Sequence, residues 1–169
     1  MNTMGASIRI GHGYDAHRLK DGRKCVLCGV EINCGFGPDG HSDADVPLHA
    51  LMDAMLGALA LGDIGEHFPD TDDKFLAASS IDMLKTVYGL VRGKGFTLGN
   101  ADITIILQAP RLAEHISQMR ERVAEALESD VSAISIKATT EEKMGFTGDG
   151  TGISSHAVVL LDHRPGSIR

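Results

Sequence analysis

The stretch GHGYDAHRL, residues 11–19, places Asp15 and His17 two positions apart in a segment that otherwise reads as a β-strand. Alternate residues of a strand share a face, so a carboxylate and an imidazole project side by side. Both reach one Zn²⁺ at about 2.0–2.2 Å, but two ligands do not hold it. His49 is the leading third ligand: it lies in the first turn of the next helical segment, one loop away, and sequential elements are usually neighbours. Asp with two His leaves a coordination position open, as catalytic zinc sites do. The same donors describe the facial triad of non-haem Fe(II) oxygenases, and spacing does not separate the two metals. Without a metal, Asp15 and His17 would be a pair bonded to each other at a strand end, and His49 a satisfied helix histidine. Asp45 and Asp53 stand four residues to either side of His49, where a carboxylate could hold its second ring nitrogen; Asp45 serves equally as a helix cap.

Other clusters carry less. His41 and Ser42 pair a base with a hydroxyl, but no third orienting acid is identifiable. The Asp-rich FPDTDD has no calcium-loop spacing, so solvated turn residues are its default. GFTGDGTG has no Lys-Ser or Lys-Thr pair and is no Walker loop. Thr139, Thr140, Glu141 and Glu142 end a strand with two hydroxyls, suited to phosphate oxygens, and two carboxylates, suited to Mg²⁺. Cys25 and Cys28 form a C-x-x-C without a second ligand pair; CVLCGVEI reads as one strand with these two on opposite faces, so they and Cys34 read as small buried hydrophobes.

The elements that must position these groups follow from periodicity and punctuation. SIRIGHGYDA is a strand, and Asp21-Gly22 signals a hairpin into a second strand at KCVLCGVEI. Residues 33–45 form a loop. DVPLHALMDAMLGALALG is a helix with Asp45 as cap, Pro47 in its first turn and Gly62 as its stop. DIGEHFPDTDDKF is a loop, SSIDMLKTVYGLVRGKG a helix opened by a Ser cap, ADITIILQ a strand, and PRLAEHISQMRERVAEALES an amphipathic helix with Pro110 near its start. SAISIKAT and ISSHAVVLL are the last two strands. The order ββααβαββ, with no repeat or linker, predicts one α/β domain over residues 1–169 of the α+β kind. Its mixed four-stranded sheet carries N-terminal hairpin elements and helices on one face, and residues 1–6 and 163–169 fray. Three helices also disfavour the all-β barrel usual for an oxygenase.

Composition narrows the partners. Of 169 residues 43% are hydrophobic, and no apolar run approaches the roughly 18 residues of a membrane span. MNTMGASIRI lacks a basic region before an apolar one, so it predicts no secretory signal and a cytoplasmic protein. Sixteen basic against 23 acidic residues give a net charge of -7 without a Lys/Arg block, which disfavours nucleic acid. A phosphorylated ligand must then be neutralised locally, by metals, helix N-termini or a few cations.

Taken together, RIGHGYDAH, HSDADVPLHALMDAMLGALALGDIG, FPDTD, LGNADITIILQAP, IKATTEEKMGFTG and HAVVLL, in this order over nearly the whole chain, resemble the 2-C-methyl-D-erythritol 2,4-cyclodiphosphate synthases of the non-mevalonate isoprenoid route. The resemblance implies a cytoplasmic homotrimer with active sites between subunits, and Zn²⁺ on Asp15, His17 and His49. It implies a phosphorus-oxygen lyase that turns 4-diphosphocytidyl-2-C-methyl-D-erythritol 2-phosphate into the cyclic diphosphate and CMP, with Mg²⁺ or Mn²⁺ on Glu142. His41 and Thr140 would stabilise the transition state. Asp15, His17, Ser42 and the loop Asp63, Ile64, Gly65, Phe68, Pro69, Asp70, Thr71 and Asp72 would touch the methylerythritol and its phosphates. Leu107, Gln108, Ala109, Pro110, Arg111, Leu112 and Ala113 with Thr139 would hold the cytidine phosphate, and Glu141 and Phe146 join the substrate contacts. The oxygenase and a non-catalytic trimeric binder are the alternatives.

Many bacterial members continue GFTG with Arg-Gly-Glu, where this chain has Asp149, Gly150 and Thr151; Glu141 stands where Thr is common. The resemblance associates that Arg with prenyl diphosphate in a cavity on the trimer axis, which His12 and Tyr14, on the strand face opposite Asp15, also line. An Asp there repels such an anion, so weak or absent binding is expected.

Overall fold

The computed structural model describes residues 8–69, 71 and 78–163. Its strands are β1 (Ile8–Asp21), β2 (Cys25–Leu27), β3 (Val30–Ile32), β4 (Phe36–Pro38), β5 (Phe96–Ile106), β6 (Ile134–Thr139) and β7 (Gly152–His163). Its helices are α1 (Val46–Ala58), α2 (Ile64–His67), α3 (Ser80–Gly93), α4 (Ile116–Ala126) and α5 (Gly145–Gly148). A mixed five-stranded sheet runs β4-β1-β7-β5-β6, with only β5 and β6 parallel, and β2-β3 forms a separate ribbon.

The long strands, α1 and α3 follow the sequence pattern. Several expectations do not hold. The sheet has five strands, not four, because the end of β1 pairs with β4 (Leu19↔Pro38, Asp21↔Phe36); FGP is too short and too Gly/Pro-rich to read as a strand. Asp21-Gly22 does turn the chain, with Arg23 N–H donating to Lys20 O at 3.4 Å, but β1 does not pair with β2. CVLCGVEI is two strands joined at Cys28 and Gly29, whose φ angles of 50° and 72° suit the central positions of a tight primed hairpin turn. Cys25 and Cys28 are therefore not alternating on one strand, and both are buried. The segments read as loops contain the one-turn helices α2 and α5. Helix α4 begins at Ile116, not near Pro110; Leu112 is buried ahead of it, and the intervening residues form a turn closed by His115 N–H donating to Leu112 O at 2.9 Å. His163, expected to fray, pairs with Phe96 at the end of β7, while residues 1–7 and 164–169 lie outside the described residues.

The core lies on one face of the sheet. Ile103, Ile105, Ile134, Val159 and Leu161 meet Leu48, Leu51, Met52, Met55 and Leu56 of α1, with Leu84 and Val87 of α3 and Met119 and Val123 of α4. Each fully buried aliphatic chain contributes about 1.5–3 kcal/mol. Helix α1 is buried nearly all round and lies directly on β1: a Cβ at Gly11 would stand 1.8 Å from the Ala54 carbonyl oxygen, and one at Gly13 1.9 Å from that of Ala50. The glycines of GHGYDAHRL are thus the bed on which α1 rests. Asp15 and His17 continue the same inward alternation past the edge of that contact, where burial falls to intermediate. The outward face of β1 and β7 is bare, exposing Ile8, Ile10, Tyr14 and Val158. Among the described residues no helix is long and apolar enough to cross a membrane.

Candidate functional site

Because α1 is seated on the two glycines, its first turn comes down beside Asp15 and His17. Asp45 fixes that first turn from the other side. Fully buried, its carboxylate accepts from Leu48 N–H of its own helix (3.3 Å) and from Cys28 and Gly29 N–H of the β2–β3 turn (2.8 and 2.7 Å). Burial pushes its carboxyl up to about 7, against these hydrogen bonds. His49 then faces β1: its Nδ1 is 3.1 Å from Asp15 Oδ2, and His17 Nε2 is 3.2 Å from the same oxygen.

The ligand atoms of Asp15, His17 and His49 all lie within 4.8 Å of one another. Two donors sharing one tetrahedral ion at about 2.1 Å stand about 3.4 Å apart; the Asp15–His49 and Asp15–His17 contacts of 3.1 and 3.2 Å lie near that spacing, so two imidazole nitrogens and one carboxylate oxygen are offered to one divalent ion. His17 is aimed by its other nitrogen, Nδ1, whose contact to the Asp39 carbonyl oxygen is 2.5 Å and leaves Nε2 to the site. Burial alone would raise the Asp15 carboxyl, but the hydrogen bonds and charges of His17 and His49 outweigh it and hold it at about 2. The Asp15 hydrogen bond in turn lifts the His17 imidazole above its ordinary range, against partial desolvation.

The outer-shell role expected of Asp45 and Asp53 falls elsewhere. The hydrogen bonds of Asp45 are those just given, and Asp53 accepts from Ile64 N–H at 2.8 Å, fixing the start of α2; its carboxyl is raised chiefly by burial. The second nitrogen of His49 instead meets Ser80 Oγ at 3.1 Å, with Ser42 Oγ at 3.4 Å. Ser42 also accepts from Ala44 N–H, so its hydroxyl serves the loop and His49, while His41 is exposed beside it. Arg23 holds this loop, donating to the carbonyls of Pro38, Gly40 and Ser42 at 3.3, 2.9 and 3.4 Å. Neither Ser80 nor Arg23 is visible as a site residue in the sequence: 31 residues separate Ser80 from His49, and Arg23 acts through loop carbonyls and a 4.0 Å ion pair with Asp39.

A second cluster forms at the ends of β5 and β6. A cavity of about 370 Å³ is lined by Leu107, Gln108, Pro110, Arg111, Leu112, Ala113, Thr139 and Thr140, together with Ile116 and Ala138, which the sequence did not single out. Ala109 is not in the lining. Gln108 Oε1 is buried there without a hydrogen-bond partner. Beyond Thr140, Glu142 is exposed, its N–H 3.4 Å from Thr140 Oγ1. Glu141 accepts from the buried hydroxyl of Thr147. The register Asp15↔Ser155, Ser155↔Ile105, Ile105↔Ala138 sets this cavity level with the metal-ligand triad but three strand spacings away, about 14 Å at about 4.8 Å each.

Asp63 caps α2 through Glu66 N–H at 3.1 Å, and Ile64 O accepts from Phe68 N–H. Gly65 and Thr71 are exposed and Pro69 half-buried, whereas Asp70 and Asp72 lie outside the described residues. Phe146 lines a separate hollow of about 330 Å³ with His17, Arg18 and Thr151. On the outer sheet face His12 Nε2 is 3.0 Å from His156 Nδ1, and the Tyr14 and His156 rings are 4.8 Å apart. Asp149 is fully exposed, and hydrogen bonds from Thr151 lower its carboxyl.

Residues 8–162 match the model of the YgbB family. The 2-C-methyl-D-erythritol 2,4-cyclodiphosphate synthase of Trichlorobacter lovleyi is 59% identical over 154 residues, covering 91% of this chain and 98% of that protein. The bifunctional IspDF of Campylobacter jejuni superposes with a TM-score of 0.91 at 42% identity, over 95% of this chain but 43% of its own. The chain thus spans less than half of that two-function protein. The CDP complex of Plasmodium falciparum IspF has a TM-score of 0.83 at 34% identity, over 94% of this chain and 97% of that one. An Fe(II) oxygenase or a non-catalytic binder finds no support among these relatives. The chain belongs to the YgbB family of 2-C-methyl-D-erythritol 2,4-cyclodiphosphate synthases.

Proposed function

We propose that this chain is itself a 2-C-methyl-D-erythritol 2,4-cyclodiphosphate synthase, acting on 4-diphosphocytidyl-2-C-methyl-D-erythritol 2-phosphate as a phosphorus-oxygen lyase. The carrying observation is the convergence of Asp15, His17 and His49. An oxygen of the 2-phosphate bonds to the β-phosphorus, and the bond from that phosphorus to the α/β bridging oxygen breaks, its electron pair leaving on CMP. Both partners are anionic, so the barrier is chiefly one of charge and alignment. Zn²⁺ held by Asp15, His17 and His49, and Mg²⁺ or Mn²⁺ at Glu142, would supply the charge neutralisation that an acidic protein lacks.

The rest falls to the chain. His41 and Thr140 offer an imidazole and a hydroxyl to the phosphate oxygens, and Ser42 with the loop 63–72 holds the polyol. The cavity of Leu107–Ala113 and Thr139 takes the cytidine phosphate; the CDP bound by the Plasmodium falciparum relative supports that assignment. Helix-side triad and cytidine cavity stand about 14 Å apart on one chain by strand spacing, and the outer sheet face exposes Ile8, Ile10, Tyr14 and Val158. We place the protein in the cytoplasm, and both observations favour a homotrimer in which one subunit's triad faces its neighbour's cavity. The exposed Asp149 near the axis repels a prenyl diphosphate; a titration with geranyl diphosphate is expected to show no saturable binding at micromolar ligand.

The test is ³¹P NMR of native protein with the cytidyl substrate and Mg²⁺. The cyclic diphosphate and CMP appear together, and His49→Ala, losing a metal ligand worth several kcal/mol of charge stabilisation, turns over about 10³-fold more slowly. No cyclic product, or full turnover in His49→Ala, refutes the assignment.

A further inference from the structure

Resting on the metal centre proposed above, we infer that Ser80 and Asp43 are positioning residues that fix which nitrogen of His49 is offered to the ion. Ser80 is the first residue of α3 and fully buried. Its backbone N–H donates to Asp43 Oδ2 at 3.0 Å and its hydroxyl donates to Asp43 Oδ1. Asp43, 37 residues earlier in the loop before α1, thereby supplies the acceptor at the helix start, where the side chain of the cap residue Ser79 makes no capping bond among the described residues.

The direction of the second bond decides the rest. A carboxylate only accepts, so the single hydroxyl proton of Ser80 is committed to Asp43. Ser80 Oγ can then only accept from His49 Nε2, 3.1 Å away, and that nitrogen must carry the proton. In the tautomer that binds an ion, Nδ1 then keeps its lone pair for the point beside Asp15 Oδ2 where the ligands converge; the hydrogen bond to Asp15 in the metal-free site belongs to the ring protonated on both nitrogens. The weaker contact from Ser42 Oγ, at 3.4 Å, sets no direction, because that hydroxyl has a free proton to rotate. Loop, α3 and α1 are thus joined in one oriented chain, Asp43–Ser80–His49, that ends at the metal position.

Asp43→Asn tests the direction with an isosteric change. The Ser80 N–H requires the amide oxygen opposite it, which places the amide nitrogen against the hydroxyl. Ser80 must then accept from Asn and turn its proton toward His49 Nε2, opposing the proton that Nδ1 ligation requires. Zinc ion affinity, measured by competition with a chromophoric chelator, is expected to fall 10–100-fold in Asp43→Asn and in Ser80→Ala, and to be largely kept in Ser80→Thr. In zinc-loaded, ¹⁵N-histidine-labelled protein the wild type shows a slowly exchanging Nε2–H signal, assigned by its loss in His49→Gln; Ser80→Ala loses its protection. A purely structural pair would lower the melting temperature of the zinc-free variants yet leave zinc affinity within twofold of wild type, and that result overturns the inference, whichever variants fold. A wild type that binds zinc no better than His49→Ala would instead sink the metal centre itself, and the pair's role with it.

Discussion

At Asp15 one carboxylate oxygen serves two imidazoles at 3.1 and 3.2 Å, and its acidity follows from that crowding. Its folded pKa, about 2, lies below the value near 3.9 of an unfolded chain. The stability it contributes is therefore present above about pH 4 and lost as pH falls through about 2. In metal-free protein the difference between wild type and Asp15→Asn in urea unfolding is expected to shrink by about 2 kcal/mol between pH 5 and pH 2; a difference independent of pH would contradict it. Arg23 acts on the same centre from outside, through three carbonyls of the loop that carries His41 and Ser42. Arg23→Met should lower kcat/KM about tenfold, the equivalent of one charged hydrogen bond, and zinc affinity as well, because the same loop carries the Asp39 carbonyl that aims His17; both unchanged would refute the role of the loop. Asp15, His17 and His49 were legible because strand alternation and one helix start define them. Arg23 and Ser80 were not, because they act through backbone or across 31 residues.

Among the elements, β1 and α1 decide whether the three ligands meet. Gly11 and Gly13 allow the helix backbone to touch the strand, and no rotamer can relieve a methyl 1.9 Å from the Ala50 carbonyl oxygen. Gly13→Ala is expected to cost about 3 kcal/mol by overpacking and to weaken zinc binding, because α1 and His49 must shift together; denaturant unfolding and chelator competition check the two effects, and an unchanged stability would refute this packing. The sequence displayed these glycines without their meaning, since close approach of a helix leaves no periodic signal on the strand. It likewise offered Asp45 as cap or outer-shell partner, and only the β2–β3 turn, whose two N–H groups need an acceptor, settles the choice for the cap.

For the whole molecule the outer sheet face is the surface whose exposure is least favourable. Ile10 is 70% exposed and Val158 44%, beside Ile8 and Tyr14, on a sheet whose other face carries the helices. Exposed apolar residues grouped in this way around the His12–His156 pair are normally covered. Ile10→Glu is expected to shift the protein from the proposed trimer toward monomer in sedimentation velocity and to abolish turnover while one chain's zinc affinity survives; a wild type that sediments as a monomer would refute the assembly. The meeting of Asp15, His17 and His49, most of the helices and long strands, and the family could be read from the chain alone, because each is written in local spacing or in motif order. The fifth strand, the β2–β3 hairpin, the late start of α4 and the partners of His49 could not. Those depend on which backbone donors and acceptors remain unsatisfied once α1 is pressed against β1, and that is decided only when folding brings residues 13 and 50, or 43 and 80, together.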